Sequence, residues 1–388
     1  MLHKITECII IRLNHLKSLI FYYLGKIMKK LILTLALSSF LSNSFACTAV
    51  DVQAKDGSVV AGRTMEWAFD MNWQLLYYPK GTSFELSAPA KSGHAPIKLT
   101  SKYAIFGVGT ALENNAMLEG QNSAGLGLSG NFLPGFTQYQ TVSKSNKKYL
   151  SVLEFTQFVL SNYATVAEVK AELPKYKVWS PEIKNLPIEP TIHFLISDKS
   201  GATVVIEFIN GEMRLFDTTA GVLTNSPNYD WHMINIRNYL NLSNNSTAHV
   251  QTSQGNVTQF GQGGGAIGLP GDYTPPSRFV RTAYLKRFAT LPESAAGAVE
   301  LTGHILNNVD IPKGAITASE GDKVIPDYTQ WVALKDISHN QFYFSDYNHR
   351  LTYVKIDLNQ VFAGSKPFAI ALDKLNYPSN DITANLTK

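Results

Sequence analysis

From residue 47 onward the apolar positions fall into short alternating runs, broken by turn residues, with few long helical stripes. Residues 48–52 alternate, turn at Asp56-Gly57 and return through residues 58–62, the pattern of a β-hairpin. Arg63-Thr64-Met65-Glu66-Trp67 follows directly, then an aromatic-rich stretch with Phe69, Trp73, Tyr77 and Tyr78. Further strands are predicted at 103–108 and 126–132. Apolar spacing then changes to the helical period over 151–161 and 165–173, the first with a Ser151/Glu154 capping box. Four prolines (Pro174, Pro181, Pro187, Pro190) interrupt the chain before a strand at 192–197. Residues 203–208 and 212–216 form a hairpin turned at Asn210-Gly211. Two helices are predicted at 277–290 and 292–307, the second with proline in its first turn. Strands at 330–335, 341–345 and 351–356 close the chain.

Helices in the middle of the chain, flanked on both sides by antiparallel hairpins, predict an α+β layered domain and argue against βαβ winding. There is no internal repeat and no linker, so residues 47–388 read as a single domain.

The first 46 residues belong to a different category. Met28-Lys29-Lys30 precedes an apolar run over 31–41 and then Ser-Asn-Ser-Phe-Ala, a charged segment, a hydrophobic segment and a small-x-small cleavage site. Translation is expected to start at Met28, and cleavage after Ala46 would make Cys47 the first mature residue. Residues 1–46 carry six Lys/Arg and one Glu, so their removal turns the whole-chain charge of +4 into −1. No basic patch then remains to attract nucleic acid, and no later run approaches a membrane span. The expected destination is the periplasm or the medium.

That cut changes the chemistry as well as the charge. The chain has two cysteines, and the other, Cys8, would leave with the leader. Cys47 would then carry a thiol and a free α-amine whose ordinary pKa is about 7.7–8.0, a base near neutrality. A nucleophile served by its own N-terminal amine is a workable catalytic arrangement. Two other readings stand beside it: a lipid-modified anchor, for which Ser44-Phe45-Ala46 is a poor signal, and a small buried cysteine opening a strand.

Five polar residues are candidates to assist Cys47. Arg63 and Glu66 follow the first hairpin, where a cation could lower the thiol pKa and a carboxylate could orient the amine; a surface ion pair is the alternative. Asn131 and Asn225 end apolar strands and could stabilise an oxyanion, or simply shape turns. Arg278 opens a helix, where a cation is unfavourable, which points to another duty. The glycine-rich 261–265 has no nucleotide-loop spacing. The nine histidines form no zinc motif, so no metal or cofactor is expected.

Taken together, Cys47-Thr48, residues 62–67, Asn122-x-x-Gly125-Leu126, residues 223–227 and residues 270–279 resemble the choloylglycine hydrolase and penicillin V acylase family. The resemblance spans essentially all of the chain from Cys47. It implies a four-layer αββα N-terminal-nucleophile fold and hydrolysis of the linear amide of N-acyl substrates. It also implies Cys47 as nucleophile, Arg63 as its tuning neighbour and Arg278 completing the polar cluster. Oxyanion donors would come from the Asn131 N–H and the Asn225 side chain. Glu66 stands where most members have Asp. Trp67, Trp73 and Phe132 would offer apolar surface to the acyl group. The secretion signal resembles the exported Gram-negative branch, which includes penicillin V acylases and N-acyl-homoserine lactone acylases, and tetramers are usual among relatives. Two alternatives are a conjugated bile salt hydrolase and, from a different class, a lipid-anchored envelope binding protein.

Overall fold

The computed structural model describes residues 46–90, 92–113, 116–183, 189–246, 249–320, 323–379 and 381–386. The expected leader and its cleavage signal therefore lie outside the described residues, apart from Ala46. Residues 45–316 with 327–388 make one compact unit, and all that follows concerns it. Among the described residues no helix is long and apolar enough to cross a membrane.

Two antiparallel sheets form its centre. The strands used below are β1 (Thr48–Gln53), β2 (Val59–Trp67), β3 (Trp73–Tyr78), β4 (Ile105–Thr110), β5 (Ala116–Asn122), β6 (Leu126–Phe132) and β7 (Ile192–Asp198). After them come β8 (Thr203–Ile209), β9 (Glu212–Asp217), β10 (Val222–Leu223), β11 (Lys323–Asp336), β12 (Gln341–Asp346), β13 (Val354–Asp357) and β14 (Phe368–Ala371). The first sheet runs β10-β1-β2-β11-β12-β13, the second β9-β8-β7-β6-β5-β4-β3-β14. The main helices are α1 (Phe155–Asn162), α2 (Val166–Glu172), α3 (Tyr229–Asn235), α4 (Pro275–Phe288) and α5 (Ala295–Asn307). α4 and α5 cover the first sheet, and α1 packs on β5 and β6 of the second.

β2 shows why this layering holds. All nine of its residues are buried, because one face meets the other sheet and the other meets helices. Gly62 lies on the helix face: a Cβ there would stand 2.5 Å from Thr302 Cγ2 and 2.8 Å from Leu306 Cδ1 on α5. By alternation Thr64 and Glu66 share that face, while Arg63 and Met65 face the second sheet. One buried cluster joins Met65, Trp331 and Phe342 to Leu76, Phe106 and Phe155. A second joins Ala49, Val60 and Leu334 to Phe279 and Leu306.

The predicted α+β class is observed, with local differences. The aromatic stretch becomes strand β3 at the side of the second sheet. The Ser151/Glu154 capping box forms in altered form: Ser151 Oγ accepts from Leu153 N rather than Glu154 N, and Glu154, which hydrogen-bonds back to the Ser151 backbone, also accepts from Ser87 N at 2.9 Å. Pro292 lies ahead of Ser294, the residue before α5, and so is not in the first turn.

Candidate active site

Cys47 sits at the start of β1, between the sheets and fully buried. In the chain as it stands, its nitrogen is the amide joining it to Ala46. Cys47 Sγ lies 3.7 Å from Met65 Sδ and 3.9 Å from Glu66 O, and accepts from Arg63 Nη2 at 3.4 Å. Burial pushes the thiol above its ordinary pKa, and the guanidinium of Arg63 pulls in the opposite direction. A thiol in this setting needs a base.

The β1–β2 hairpin sets Arg63 beside Cys47, because Thr48 pairs with Thr64. Arg63 is fully buried, with Nε donating to Asn131 Oδ1 at 2.9 Å and its guanidinium 5.0 Å from the Trp331 ring. Glu66 occupies the opposite face of the strand. Its carboxyl accepts from Thr329 Oγ1 at 2.7 Å and Thr64 Oγ1 at 3.0 Å. Burial raises its pKa to about 8, against the opposing field of Arg278.

Arg278, the fourth residue of α4, reaches into the same cluster. Its Nη1 donates to Cys47 O at 2.6 Å and Thr48 Oγ1 at 2.7 Å, Nη2 to Asn225 Oδ1 at 2.8 Å, and Nε to Tyr273 O at 2.9 Å. Those four acceptors offset the unfavourable placement of a cation near a helix N-terminus. Asn225 is thereby fixed at both ends of its amide, since Nδ2 donates to Phe132 O at 2.9 Å.

Asn131 departs from its expected role. Its side chain is fully used, with Oδ1 accepting from Arg63 and Nδ2 donating to Leu223 O and Thr224 O at 3.1 and 3.0 Å. Its backbone is also turned the wrong way. Leu133 N donates to Thr191 O on the β7 side, so alternation sends Asn131's N–H to β7 as well, opposite His193. The N–H of Phe132 lies on the other side, with the carbonyl that meets the Asn225 amide. The N–H that shares a side with the Asn225 amide is therefore that of Phe132, one residue after the expected one.

Trp67 and Phe132 do wall a crevice, their rings 4.4 Å apart, which continues past Met71, Leu118, Leu153 and Ile192. Trp73 is not part of it. Its indole N–H donates to Gln330 Oε1 at 2.6 Å and its ring meets Trp331 edge-on at 5.5 Å. Gln330 itself, at a bulge in β11, donates to Trp67 O and Phe69 O at 2.9 and 2.8 Å. Trp73 thus supports the crevice wall from behind.

Gln330 was not legible as a site residue, nor were three other buried polar groups. His193 Nε2 meets Thr224 O at 3.0 Å and its Nδ1 meets Glu207 Oε1 at 2.8 Å. His232 Nε2 meets Asn225 O at 2.9 Å, with its ring stacked on Phe279. Together these anchor the backbone that presents Asn225. Asp327, also buried, lies two residues before Thr329. Only buried polar side chains in strand runs could have signalled them, and burial is not readable from one residue. Among the described residues no group of three or more His, Cys, Asp or Glu is placed to hold a metal ion.

Comparison with known proteins agrees with this geometry. A family model described as linear amide C–N hydrolases, choloylglycine hydrolase family, matches residues 47–368. The bile salt hydrolase/transferase of Clostridium perfringens is 31% identical over 318 residues, 81% of this chain and 93% of the relative. The penicillin V acylase of Pectobacterium atrosepticum is 28% identical over 251 residues, 62% of this chain and 60% of the relative. Among solved structures, a mutant conjugated bile acid hydrolase from Clostridium perfringens aligns with a TM-score of 0.74 at 29% identity, covering 87% and 99% of the two chains. The penicillin V acylase of Agrobacterium tumefaciens shares the fold, with a TM-score of 0.64 at 21% identity over 86% and 98%. With a thiol, two buried arginines and a fixed amide assembled where that family model begins, the chain belongs to the choloylglycine hydrolase family of linear amide C–N hydrolases.

Proposed function

We propose that the mature protein begins at Cys47 and is an exported cysteine amidohydrolase for N-acyl substrates with an uncharged, apolar or aromatic acyl group. Penicillin V and long-chain acyl-homoserine lactones represent that class. The observation that carries the acyl preference is the crevice walled by Trp67 and Phe132, which is almost wholly apolar; Trp67 directly follows Glu66, whose carbonyl lies 3.9 Å from Cys47 Sγ. Each methylene buried there is worth roughly 0.8 kcal/mol.

In this reading the α-amine freed at Cys47 takes the thiol proton, the thiolate attacks the acyl carbonyl, and the α-ammonium passes that proton to the leaving amine as the C–N bond breaks. Water then attacks the acyl-thioester, gives a proton to the α-amine and releases the acid. The negative oxygen of each tetrahedral intermediate is held by Asn225 Nδ2 and the N–H of Phe132. Arg63 favours the thiolate, and Arg278 holds Cys47 O and Asn225 in register. Glu66, whose field reaches Cys47, helps balance the new ammonium. Assembly as a homotetramer and location in the periplasm belong to the same proposal. A lipid-anchored form would have its amine or thiol blocked and would not turn over.

A second reading, hydrolysis of conjugated bile salts, is favoured by the 31% identity to the Clostridium perfringens protein. A panel of penicillin V, a long-chain acyl-homoserine lactone and glycocholate separates the two. The first reading expects kcat/KM for penicillin V or the lactone to exceed that for glycocholate; the reverse order supports the second.

A further inference from the structure

Asp327 has no part in the chemistry above, yet it is the least satisfied group near it. Its side chain is fully buried, and among the described residues no side chain hydrogen-bonds either carboxylate oxygen; the adjoining Tyr328 N–H is the donor that acts on it. Buried polar groups left in that state call for an explanation.

Its position supplies one. On β11, Thr329 stands opposite Glu66 and Tyr328 opposite Trp67. Thr329 Oγ1 hydrogen-bonds Glu66, so the two share a face, and Asp327, two residues earlier, returns to it. Diagonal neighbours across a strand pair stand about 7 Å apart. Asp327 is therefore one step from Glu66, and its field acts on both Glu66 and Arg278. Of the other charged groups, Arg281 acts on Arg278 from further along α4, Cys47 is coupled to Glu66, and Arg63 stands on the opposite face of β2. Tyr328 turns elsewhere, toward Lys313 and Tyr347.

Removal of the chain ahead of Cys47 adds a cation with three N–H donors to this cluster. Glu66 already accepts from two hydroxyls; among the described residues no side chain donates to Asp327. We propose that Asp327 is a positioning residue of the active site, a second carboxylate paired with Glu66 that shares in balancing the Cys47 α-ammonium and sets the pH at which that amine becomes a base. This rests on the reading of Cys47 as an N-terminal nucleophile. In the uncut chain burial holds the carboxyl of Glu66 up at about 8 and that of Asp327 at about 7, both opposed by Arg278. A nearby ammonium favours the ionised form of each.

The test uses the mature enzyme with Asp327→Asn, which removes the charge and keeps the shape. The readouts are the pH dependence of kcat/KM, with penicillin V or glycocholate, whichever is turned over, and of Cys47 alkylation by iodoacetamide. Losing a negative charge lowers the pKa of the amine, of the thiol and of Glu66 alike. The acid limb of both profiles then moves down by about one pH unit, KM changes little, and Asp327→Glu restores the original limb. An acid limb that stays in place overturns the proposal, whatever happens to the melting temperature. If Asp327→Asn does not fold, Asp327→Ser reads the same shift. Failure of the nucleophile reading is distinguishable, because it appears in the unmutated enzyme as turnover that survives blocking of the α-amine.

Discussion

Asn225→Ala separates what this side chain does for the fold from what it does for the reaction. The amide accepts from Arg278 Nη2 at 2.8 Å and donates to Phe132 O at 2.9 Å, with 1% of the residue exposed. Truncation removes both bonds and leaves a buried carbonyl without this donor. At about 1 kcal/mol net per bond and 1–3 for the unsatisfied group, the stability loss is roughly 2–4 kcal/mol. The catalytic loss is separate: one oxyanion donor is worth about 3–4 kcal/mol, or roughly 10²–10³ in kcat. KM should move much less, because the donor is aimed at charge that develops only during attack. Asn225→Asp sharpens the comparison, since it keeps an acceptor for Arg278 but loses the N–H donor. It should lose at least as much kcat as the alanine variant and less stability. Urea denaturation gives the first quantity and steady-state kinetics the second. If kcat holds while KM rises, Asn225 is a binding or turn residue and the oxyanion assignment is wrong.

Four further outcomes are expected. Asn131→Ala should cost both stability and turnover, because its side chain ties Arg63 to the backbone at Leu223 and Thr224; a mild phenotype by denaturation and kcat would refute this. Gln330→Leu leaves Trp67 O, Phe69 O and Trp73 Nε1 short of their partner, costing about 3 kcal/mol or more in urea, and should raise KM for long acyl chains over short ones. Trp67→Ala should raise KM for aromatic and long acyl substrates and spare short ones, measured across a chain-length series. His232 is held neutral by burial, its pKa lowered to about 4 from 6.5. The unfolded chain therefore takes up that proton first: stability is full above about 6.5, falls by roughly 3 kcal/mol as pH drops to 4, and levels off below. His232→Gln should flatten that slope in pH-dependent denaturation.

The sequence showed most of what local pattern controls. Alternation at 48–52 and 58–62 located the first hairpin, and Asn210-Gly211 its own, because period and turn chemistry are local properties. Cys47, Arg63, Glu66, Asn225 and Arg278 converge in space, although Arg278 lies 231 positions after the cysteine. What escaped depended on direction and depth. Whether Asn131 or Phe132 turns its N–H away from β7 is decided by ladder register, which no single strand reveals. Trp73 was assigned to the substrate on composition, yet a β-bulge 257 positions away claims its indole. The Ser151/Glu154 pair had the right spacing for a cap, but spacing could not show that Glu154 also takes a tertiary partner, Ser87. Asp327 lay ahead of the strand predicted at 330–335 and looked like any polar residue, since only the fold removes its water.

The most direct measurement of the account is turnover by two forms of the protein that differ only at the nitrogen of Cys47. One begins at Cys47 with a free α-amine, checked by intact mass and N-terminal sequencing. The other carries one uncleavable Ala ahead of it, with the thiol unchanged. The account predicts that both fold and melt alike, and that only the first hydrolyses N-acyl amides at more than a trace rate. Equal turnover by the extended form would mean that another group is the base, and would contradict the assignment of Cys47 as an N-terminal nucleophile.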